Sequence, residues 1–481
     1  MRFKGLKVFL FFALVNGLLH AYFINLPPCG SHVWRQCNTL AMSRNFATES
    51  MDIMHPRIDR RNNSNGITGA HFPAYEWTLA LISKAFGFTD LLARVFSLLV
   101  FTLGMFAFYL FLKQVEFDDR YAVIGSLILL SIPQNYYDSM NAMPDIMALT
   151  ASLFSLYFLT HHFKNGSIIH FVIGVLLAVV CGLIKFQFLI LPLSSIVYLR
   201  YNKKEIIFLT IGALIVSLTV VFWYLYAIEL SNSNNLKEFG LWIKPISLSN
   251  KLKTVQGNLV SDLPELLMGW PLFVLFLALL RFIRPFTKLG FQILIGIVGF
   301  VVFYTVAIER MQHHSYYFMA LLPFLVLMVL NLFLKSNINF RFLLLFCCLN
   351  FIWSFARIIP SRWANGGKGI PEEFKNTEQR NKLTKAMKSA KISLVGPDVS
   401  GCIFFYFINA KGYSFDNFDE LIEKREYISQ FDEMRLNGVD RLLIDRTISN
   451  SEHFKSIQGK RLIDRVGNFE IWTVSNLKAV E

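Results

Sequence analysis

The run Gly5-Leu6-Lys7-Val8-Phe9-Leu10-Phe11-Phe12-Ala13-Leu14-Val15-Asn16-Gly17-Leu18-Leu19-His20-Ala21-Tyr22-Phe23-Ile24-Asn25-Leu26 gives way, across Pro27-Pro28-Cys29-Gly30, to His32-Val33-Trp34-Arg35-Gln36. The first part is long enough to cross a bilayer, whose hydrocarbon core of about 30 Å takes about 20 apolar residues. The second is polar, aromatic and charged. That character continues to Trp77 through His55-Pro56-Arg57-Ile58-Asp59-Arg60-Arg61 and Gly69-Ala70-His71-Phe72-Pro73. A multispanning protein gains no stability from so many ionisable groups beside lipid, so they read as a site. Met1-Arg2-Phe3-Lys4 before an apolar run also fits a signal peptide. The run is long, however, and no small-residue cleavage site follows it, so an uncleaved first span is expected.

The rest of the chain repeats the pattern. Of 481 residues, 54% are hydrophobic, 48 are Phe and 17% are charged, against about 25% charged in a soluble domain. Apolar blocks place spans near 7–26, 91–112, 120–135, 146–163, 167–183, 186–199, 205–228, 270–283, 288–307, 315–334 and 341–358. Alternate connections carry Lys113 with Arg120, His161 with Lys164, Arg200 with Lys203 and Lys204, Arg281 with Arg284 and Lys288, and Lys335 with Arg341. With Arg2, Lys4 and Lys7 these make one basic, cytoplasmic face, and they account for much of the net charge of +14. No basic stripe coincides with a soluble fold, which argues against a nucleic-acid partner. The opposite face receives the loop 27–90, the turn from Asp138 to Asp145, the Phe186 neighbourhood, the loop 229–269, Glu309 to Tyr316 and everything after Ile359. Phe72 to Phe86 is apolar but short, and is expected as an amphipathic helix lying on that outer face.

From Pro360 the composition turns globular. Ile392–Val395, Cys402–Phe407, Arg441–Ile444 and Phe469–Val474 read as strands and Asp419–Asn437 as a helix, with Ser361 to Lys368 as linker. The expected fold is therefore an all-α polytopic membrane domain of about eleven transmembrane helices over residues 1–359. It is followed by a small extracytoplasmic α/β domain over 360–481. Cys181, Cys347 and Cys348 lie in apolar spans and read as packing residues. Cys29 and Cys37 share the first loop, so a disulfide between them is open if that loop faces an oxidising compartment. The cysteines lack metal spacing, and two adjacent His residues, His313 and His314, do not share a helical face, so no preformed metal site is expected.

Several residues on the outer side carry chemistry, each beside a plainer reading. Asp145 follows Pro144 at the start of a span: it is either a helix cap or a base whose pKa partial desolvation would raise. Arg35 has the planar fork that binds phosphate and His32 can exchange protons. The same stretch also reads as a loop anchored by Trp34 in the headgroup belt. Arg57, Arg60 and Arg61 suit a lipid phosphate or headgroups generally. Lys185, between two apolar spans, either binds phosphate or snorkels to the interface. Glu309-Arg310-Met311-Gln312-His313-His314-Ser315-Tyr316-Tyr317 offers substrate hydrogen bonds or interfacial anchoring. There is no nucleotide-binding glycine loop and no His-Glu-x-x-His. An activated donor must then arrive by another route, and lipid is the obvious one.

These segments resemble the C-type integral-membrane glycosyltransferases (GT-C), in the bacterial branch similar to protein O-mannosyltransferases and lipid A aminoarabinose transferases. The matching pieces are His32-Val33-Trp34-Arg35-Gln36-Cys37-Asn38-Thr39, Ala41-Met42-Ser43-Arg44-Asn45-Phe46, Gly69-Ala70-His71-Phe72-Pro73-Ala74-Tyr75, Ala93-Arg94-Val95-Phe96-Ser97, Met143-Pro144-Asp145, and His314-Ser315-Tyr316-Tyr317 before Pro323. They cover roughly residues 5–335. The resemblance implies an inverting enzyme of a bacterial inner membrane, with no cofactor. It would move a sugar from a polyprenyl-phosphate carrier to a glycan, lipid or protein acceptor on the periplasmic side. Taken with the residue readings above, the expected substrate-binding residues are Arg35, Gln36, Asn38, Arg57, His71, Lys185, His313, His314, Tyr316 and Tyr317. Related bacterial sequences look like Trp-Arg-Gln-x-Asp-Thr where this chain has Asn38, and carry an acid before the Phe-Pro step where it has His71. An amide cannot take a proton, so the base falls to Asp145 first, then His32, His71 or Asp59. A transporter or flippase of a lipid-linked saccharide is the alternative, and a non-catalytic scaffold a third. Spans nearly free of internal charge favour chemistry on one face.

Overall fold

In the computed structural model of the chain, residues 2–234, 236, 246–283, 287–312, 314–364, 370–425 and 428–475 are described. The helices run α1 (Arg2–His20), α2 (Val33–Thr48), α3 (Ala74–Phe86), α4 (Asp90–Gln114), α5 (Asp119–Ser131), α6 (Pro133–Asp138), α7 (Pro144–Asn165), α8 (Ile168–Ile184), α9 (Ile190–Ser194), α10 (Lys203–Ser233), α11 (Leu248–Gly257), α12 (Trp270–Leu279), α13 (Lys288–Met311), α14 (Leu322–Lys335) and α15 (Phe340–Ile358). Among the described residues five helices are long and apolar enough to cross a membrane: α4, α7, α10, α13, and α15 with its continuation to Ala364. A bent pair, Leu248–Leu267 with Trp270–Phe282, makes a sixth, and Ile168–Ile184, Phe186–Tyr198 and Leu322–Lys335 are apolar but shorter. The eleven expected spans thus include several segments that are short or broken.

Part of the expected 229–269 loop is helical. α11 runs into a π-helical turn, Asn258–Leu267, that contains Pro264, and the chain then bends by 109° into α12. Gly269 makes the bend with φ 85°, and a Cβ there would lie 2.1 Å from Asn350 Oδ1. Only glycine fits such a position.

The expected basic loops do meet at one end of the bundle. Lys4 and Lys113 both pair with Asp119, and Lys164 pairs with Glu116 at 3.0 Å. Arg120 lies over Phe340, which joins the α14–α15 turn to this end. Lys164, Arg200 and Lys288 line one small cavity here, so the loops after α7, α9 and α12 share it. Arg284 lies outside the described residues. The first loop lies at the other end. It holds α2, with its residues from Arg35 to Met42 buried, and α3, which packs on α2 and α4.

Beyond α15 come α16 (Glu372–Lys375), α17 (Thr377–Met387), β1 (Ile392–Val395), α18 (Ile403–Ile408), β2 (Gly412–Ser414), α19 (Phe418–Ile422), β3 (Lys424–Arg425), β4 (Ile428–Ser429), α20 (Gln430–Leu436), β5 (Val439–Asp445), β6 (Lys460–Val466) and β7 (Phe469–Val474). Five strands form a sheet in the order β2-β1-β5-β7-β6. β1 is parallel to β2 and β5, and β7 is antiparallel to β5 and β6. Expected strands 392–395 and 469–474 are present, and 441–444 lies within β5. Cys402–Phe407 is instead helical, and a short, wholly buried apolar run does not announce its period. Asp398 decides it: its Oδ2 accepts from Phe404 N at 3.0 Å while Ser400 Oγ accepts from Ile403 N at 3.0 Å. The expected helix 419–437 is broken into α19 and α20 by the β3–β4 hairpin. Phe374, Phe404, Phe405 and Phe407 belong to the same apolar cluster as the bundle helices, whereas Leu394, Phe418, Leu442 and Phe454 belong to a separate core of the sheet's own. The disulfide weighed between Cys29 and Cys37 is not formed, and both are buried free thiols.

Candidate functional site

At the end of the bundle opposite the basic loops lies a cavity of about 1010 Å³. α2 contributes Trp34, Arg35 and Asn38, and the loop after it contributes Arg60, Ala70 and His71. Lys185, Phe186 and Gln187 come from the break after α8, Tyr224 and Ile228 from α10, and Phe303, Val306, Ala307, Glu309 and Arg310 from α13. His314, Tyr316 and Tyr317 complete the wall, and Val399 and Ser400 reach it from the C-terminal region.

Three groups show how the wall is built. Arg35 Nη2 faces His71 Nδ1 at 3.0 Å, and His71 Nε2 faces Glu76 Oε1 at 2.8 Å. A guanidinium offers only donors, and an ionised carboxylate only acceptors. Nδ1 is therefore bare and Nε2 carries the hydrogen, so the ring is neutral. Burial also pushes the His71 pKa down. Glu76 is fully buried. The chain Glu76–His71–Arg35 thus aims the guanidinium into the cavity.

Lys185 forms the second group. Its Nζ lies 4.5 Å from the ring centre of Tyr317 and 5.4 Å from that of Tyr316, and 4.0 Å from Asp145 Oδ1. Asp145 is fully buried in the first turn of α7, behind the wall, and neither of its oxygens accepts a hydrogen bond from a described residue. The cap of α7 is Met143, with no side-chain cap bond, so Asp145 is not serving as one.

The third group is a pair of unspent donors. Arg35 Nε and Gln187 Nε2 are buried and have no hydrogen-bond partner among the described residues. A buried unmade bond costs about 1–3 kcal/mol, so such donors on a cavity wall suit a ligand's oxygens.

The structure thus brings together Arg35, Asn38, His71, Lys185, His314, Tyr316 and Tyr317. Asp145 comes up behind Lys185, and the others stand off the wall or outside the described residues. Asp59 lies off the wall, held by Arg44 at 2.6 Å and Asn45 at 2.9 Å. Arg57 pairs with Glu49, and Gln36 donates to Cys29 O at 2.9 Å. His32 is half-buried against Tyr316, with ring centres 4.9 Å apart, and burial holds its pKa down at about 3. His313 lies outside the described residues. Glu76, Gln187 and the Val399–Ser400 lip escaped the sequence reading. Glu76 looks there like an ordinary first-turn acid, and a lip from a distant segment leaves no local pattern. Among the described residues no group of three or more His, Cys, Asp or Glu could hold a metal ion.

A family model described as dolichyl-phosphate-mannose-protein mannosyltransferase matches residues 70–225, a stretch containing His71, Asp145, Lys185 and Tyr224. Among curated proteins none matches the chain in sequence. Of solved structures, apo ArnT from Cupriavidus metallidurans gives a TM-score of 0.63 at 12% identity, covering 96% of this chain and 97% of that one. The same protein bound to undecaprenyl phosphate gives 0.62 at 12% identity, covering 98% of each. The Archaeoglobus fulgidus oligosaccharyltransferase, in complex with Zn and sulfate, gives 0.54 at 14% identity, covering 98% of this chain and 73% of that one. The resemblance drawn from the sequence holds. Part of the chain matches a mannosyltransferase model, and its fold is shared with ArnT. With its apolar helices, the chain is a multi-pass membrane protein.

Proposed function

We propose that this protein is a glycosyltransferase that moves a sugar from a polyprenyl-phosphate donor to a cell-envelope acceptor. The observation that carries the reading is one cavity with two characters. Arg35, Arg60, Lys185, Arg310 and the unspent donor of Gln187 suit a phosphate. Phe186, Ile228, Phe303 and Val306 offer a wall for an isoprenoid chain, between helices whose outer faces expose Leu218, Phe222, Val298 and Val302. The fold shared with a protein whose structure holds undecaprenyl phosphate supports the same ligand class.

In the transfer, the acceptor oxygen attacks the anomeric carbon from the side opposite the phosphate, so the configuration inverts. The bond from that carbon to the phosphate oxygen breaks, and polyprenyl phosphate leaves with the electron pair. Negative charge grows on the departing phosphate, and positive charge on the sugar ring, so cations already in place at the phosphate stabilise the transition state more than the ground state. Arg35 and Lys185 supply them. Asp145, the first candidate base from the sequence, acts in this reading as the counter-charge that holds Lys185. In this reading the basic loops face the cytoplasm, as basic loops favour, and the cavity opens on the periplasmic face of a bacterial inner membrane.

The test is release of undecaprenyl phosphate from an undecaprenyl-phosphate-linked hexose or pentose, with sugar appearing in an envelope extract in equal amount. Movement of the intact lipid-linked sugar across a vesicle membrane, without release of the phosphate, would instead establish the transport alternative.

A further inference from the structure

Resting on that reading of the cavity, we infer that α2 carries the sugar site. The sugar ring lies against the Trp34 indole, its hydroxyls meet the Asn38 amide, and the sugar is an uncharged hexose or pentose, not an amino sugar. Trp34 and Asn38 stand four residues apart on α2, so they share one face of the helix, and both line the cavity. The Trp34 ring centre lies 5.7 Å from that of His314, at an angle of 53°. His314 lies 5.4 Å from Tyr316, and Tyr316 5.0 Å from Tyr317. Lys185 Nζ stands over the Tyr317 ring at 4.5 Å. An aromatic strip therefore runs unbroken from Trp34 to the lysine that meets the phosphate.

The strip has the chemistry of a sugar platform. A sugar ring presents polarised C–H groups on its faces, and these suit the negative face of an aromatic ring. His314, Tyr316 and Tyr317 lie close to parallel, at 23° and 32° to one another, and Lys185 covers the far end. Trp34 stands at the other end and is only partly buried against the core. Arg35 follows it in the chain, so the indole is beside a phosphate-binding cation, and the transferred sugar is bonded to that phosphate. Asn38, on the same helix face, offers two N–H donors and a carbonyl acceptor to neighbouring hydroxyls.

The charge of the cavity selects among sugars. Arg35, Arg60, Lys185 and Arg310 line it as cations, against Glu309 as the one lining carboxylate among the described residues. Two further carboxylates stand behind the wall and are turned to its own residues, Glu76 to His71 at 2.8 Å and Asp145 to Lys185 at 4.0 Å. An ammonium on the sugar would leave water to sit beside Arg35 and a neutral amide, and like charges repel there. Hydroxyls lose nothing by the exchange, because the amide returns the bonds they made with water.

The experiment compares Trp34→Leu, Trp34→Phe and Asn38→Asp with wild type in proteoliposomes. The donors are undecaprenyl-phosphate-linked neutral hexoses and pentoses, and the same sugars with an amine in place of one hydroxyl; undecaprenyl phosphate alone reports the phosphate site and folding. Wild type should bind the best neutral donor at least about tenfold more tightly than its amino counterpart. Trp34→Leu should weaken that neutral donor by about tenfold, the scale of one aromatic contact, with bare undecaprenyl phosphate held as before. Trp34→Phe should regain part of the loss, and Asn38→Asp should narrow the gap between neutral and amino donors. Equal weakening of bare undecaprenyl phosphate in Trp34→Leu, as for a ring that merely anchors the loop, would overturn the site. So would unchanged donor binding in that variant, a gap that Asn38→Asp leaves in place, or wild type taking amino donors as readily as neutral ones. Each of these leaves the transferase reading intact. No transfer by wild type from any lipid-linked sugar would remove that reading, and this site with it.

Discussion

Lys185 Nζ stands 4.0 Å from Asp145 Oδ1, and that carboxylate accepts no hydrogen bond from any described residue. The pair is asymmetric: Lys185 borders the cavity, whereas Asp145 is fully buried. Lys185→Ala therefore strands a buried charge and should cost about 3–5 kcal/mol. Asp145→Asn removes the buried charge and leaves Lys185 free to meet water in the cavity, so it should cost less. Denaturant unfolding in detergent gives the order, and an equal loss in both variants would contradict it. Both variants should raise the KM for the lipid donor, Asp145→Asn by letting Lys185 move.

The chain Glu76–His71–Arg35 makes a second prediction. Glu76→Ala leaves the His71 Nε2–H buried without an acceptor, at a cost of about 1–3 kcal/mol, and releases Arg35 from its orientation. The KM for the lipid donor should rise with a smaller change in kcat, because the phosphate is held before as well as during transfer. A fall in kcat with unchanged KM would show that Arg35 acts only in the transition state.

Why the sequence announced some of this and hid the rest follows from range. Apolar blocks and basic loops are local, and the basic loops do gather at one end of the bundle. Arg35, His71 and Lys185 stood out because each ionisable group sits beside an apolar run. The β1 and β7 strands showed by their β-branched and aromatic content. α18 was hidden, since six consecutive buried apolar residues carry no period and the deciding contact comes from the Asp398 side chain. The partition of charged groups was hidden too. Asp59 and Asp145 are alike in sequence, yet one is tied to Arg44 and Asn45 while the other has Lys185 beside it at 4.0 Å. Glu309 and Arg310 stood in a visible cluster, but nothing local showed that they share a cavity wall with Arg35 and Lys185.

Acid should destabilise the protein from a pH where few carboxylates titrate. Burial holds the folded His32 pKa at about 3, and the unfolded value is about 6.5. Between the two, the unfolded chain binds the proton and the folded chain does not, so stability falls as pH drops through that window. His71 is shifted in the same direction and adds to the slope. From pH 6.5 to 5.5, each histidine contributes at most about 1.4 kcal/mol per pH unit. Thermal unfolding across that interval should show a declining midpoint, and His32→Gln should flatten it. An unchanged slope would show that the His32 ring does not report this burial.

The seam between the first loop and the C-terminal sheet makes the last prediction. Gly412 O accepts from Arg61 N at 2.7 Å and from Asn62 N at 3.2 Å, while Gly412 N donates to Asp59 O at 3.1 Å. The first loop thus pairs with the edge strand β2 and covers an edge that would otherwise be exposed. A Cβ on Gly412 would lie 2.0 Å from Ser393 O, at φ 146°. Gly412→Ala must therefore part β2 from β1 or from the loop, and either movement shifts the Val399–Ser400 lip. The Val399 side chain is 85% exposed, and the lip is tied through Ser400 to Asp398 and to the start of α18, so it moves with that end of the sheet. Transfer should fall and limited proteolysis after residue 370 should quicken, while undecaprenyl phosphate still binds through Arg35 and Lys185. Lys411→Ala, which removes only an ion pair with Glu49 at the same seam, should cost no more than about 1 kcal/mol. If Gly412→Ala resists protease as well as Lys411→Ala does, the pairing at Gly412 is not what holds the lip over the cavity.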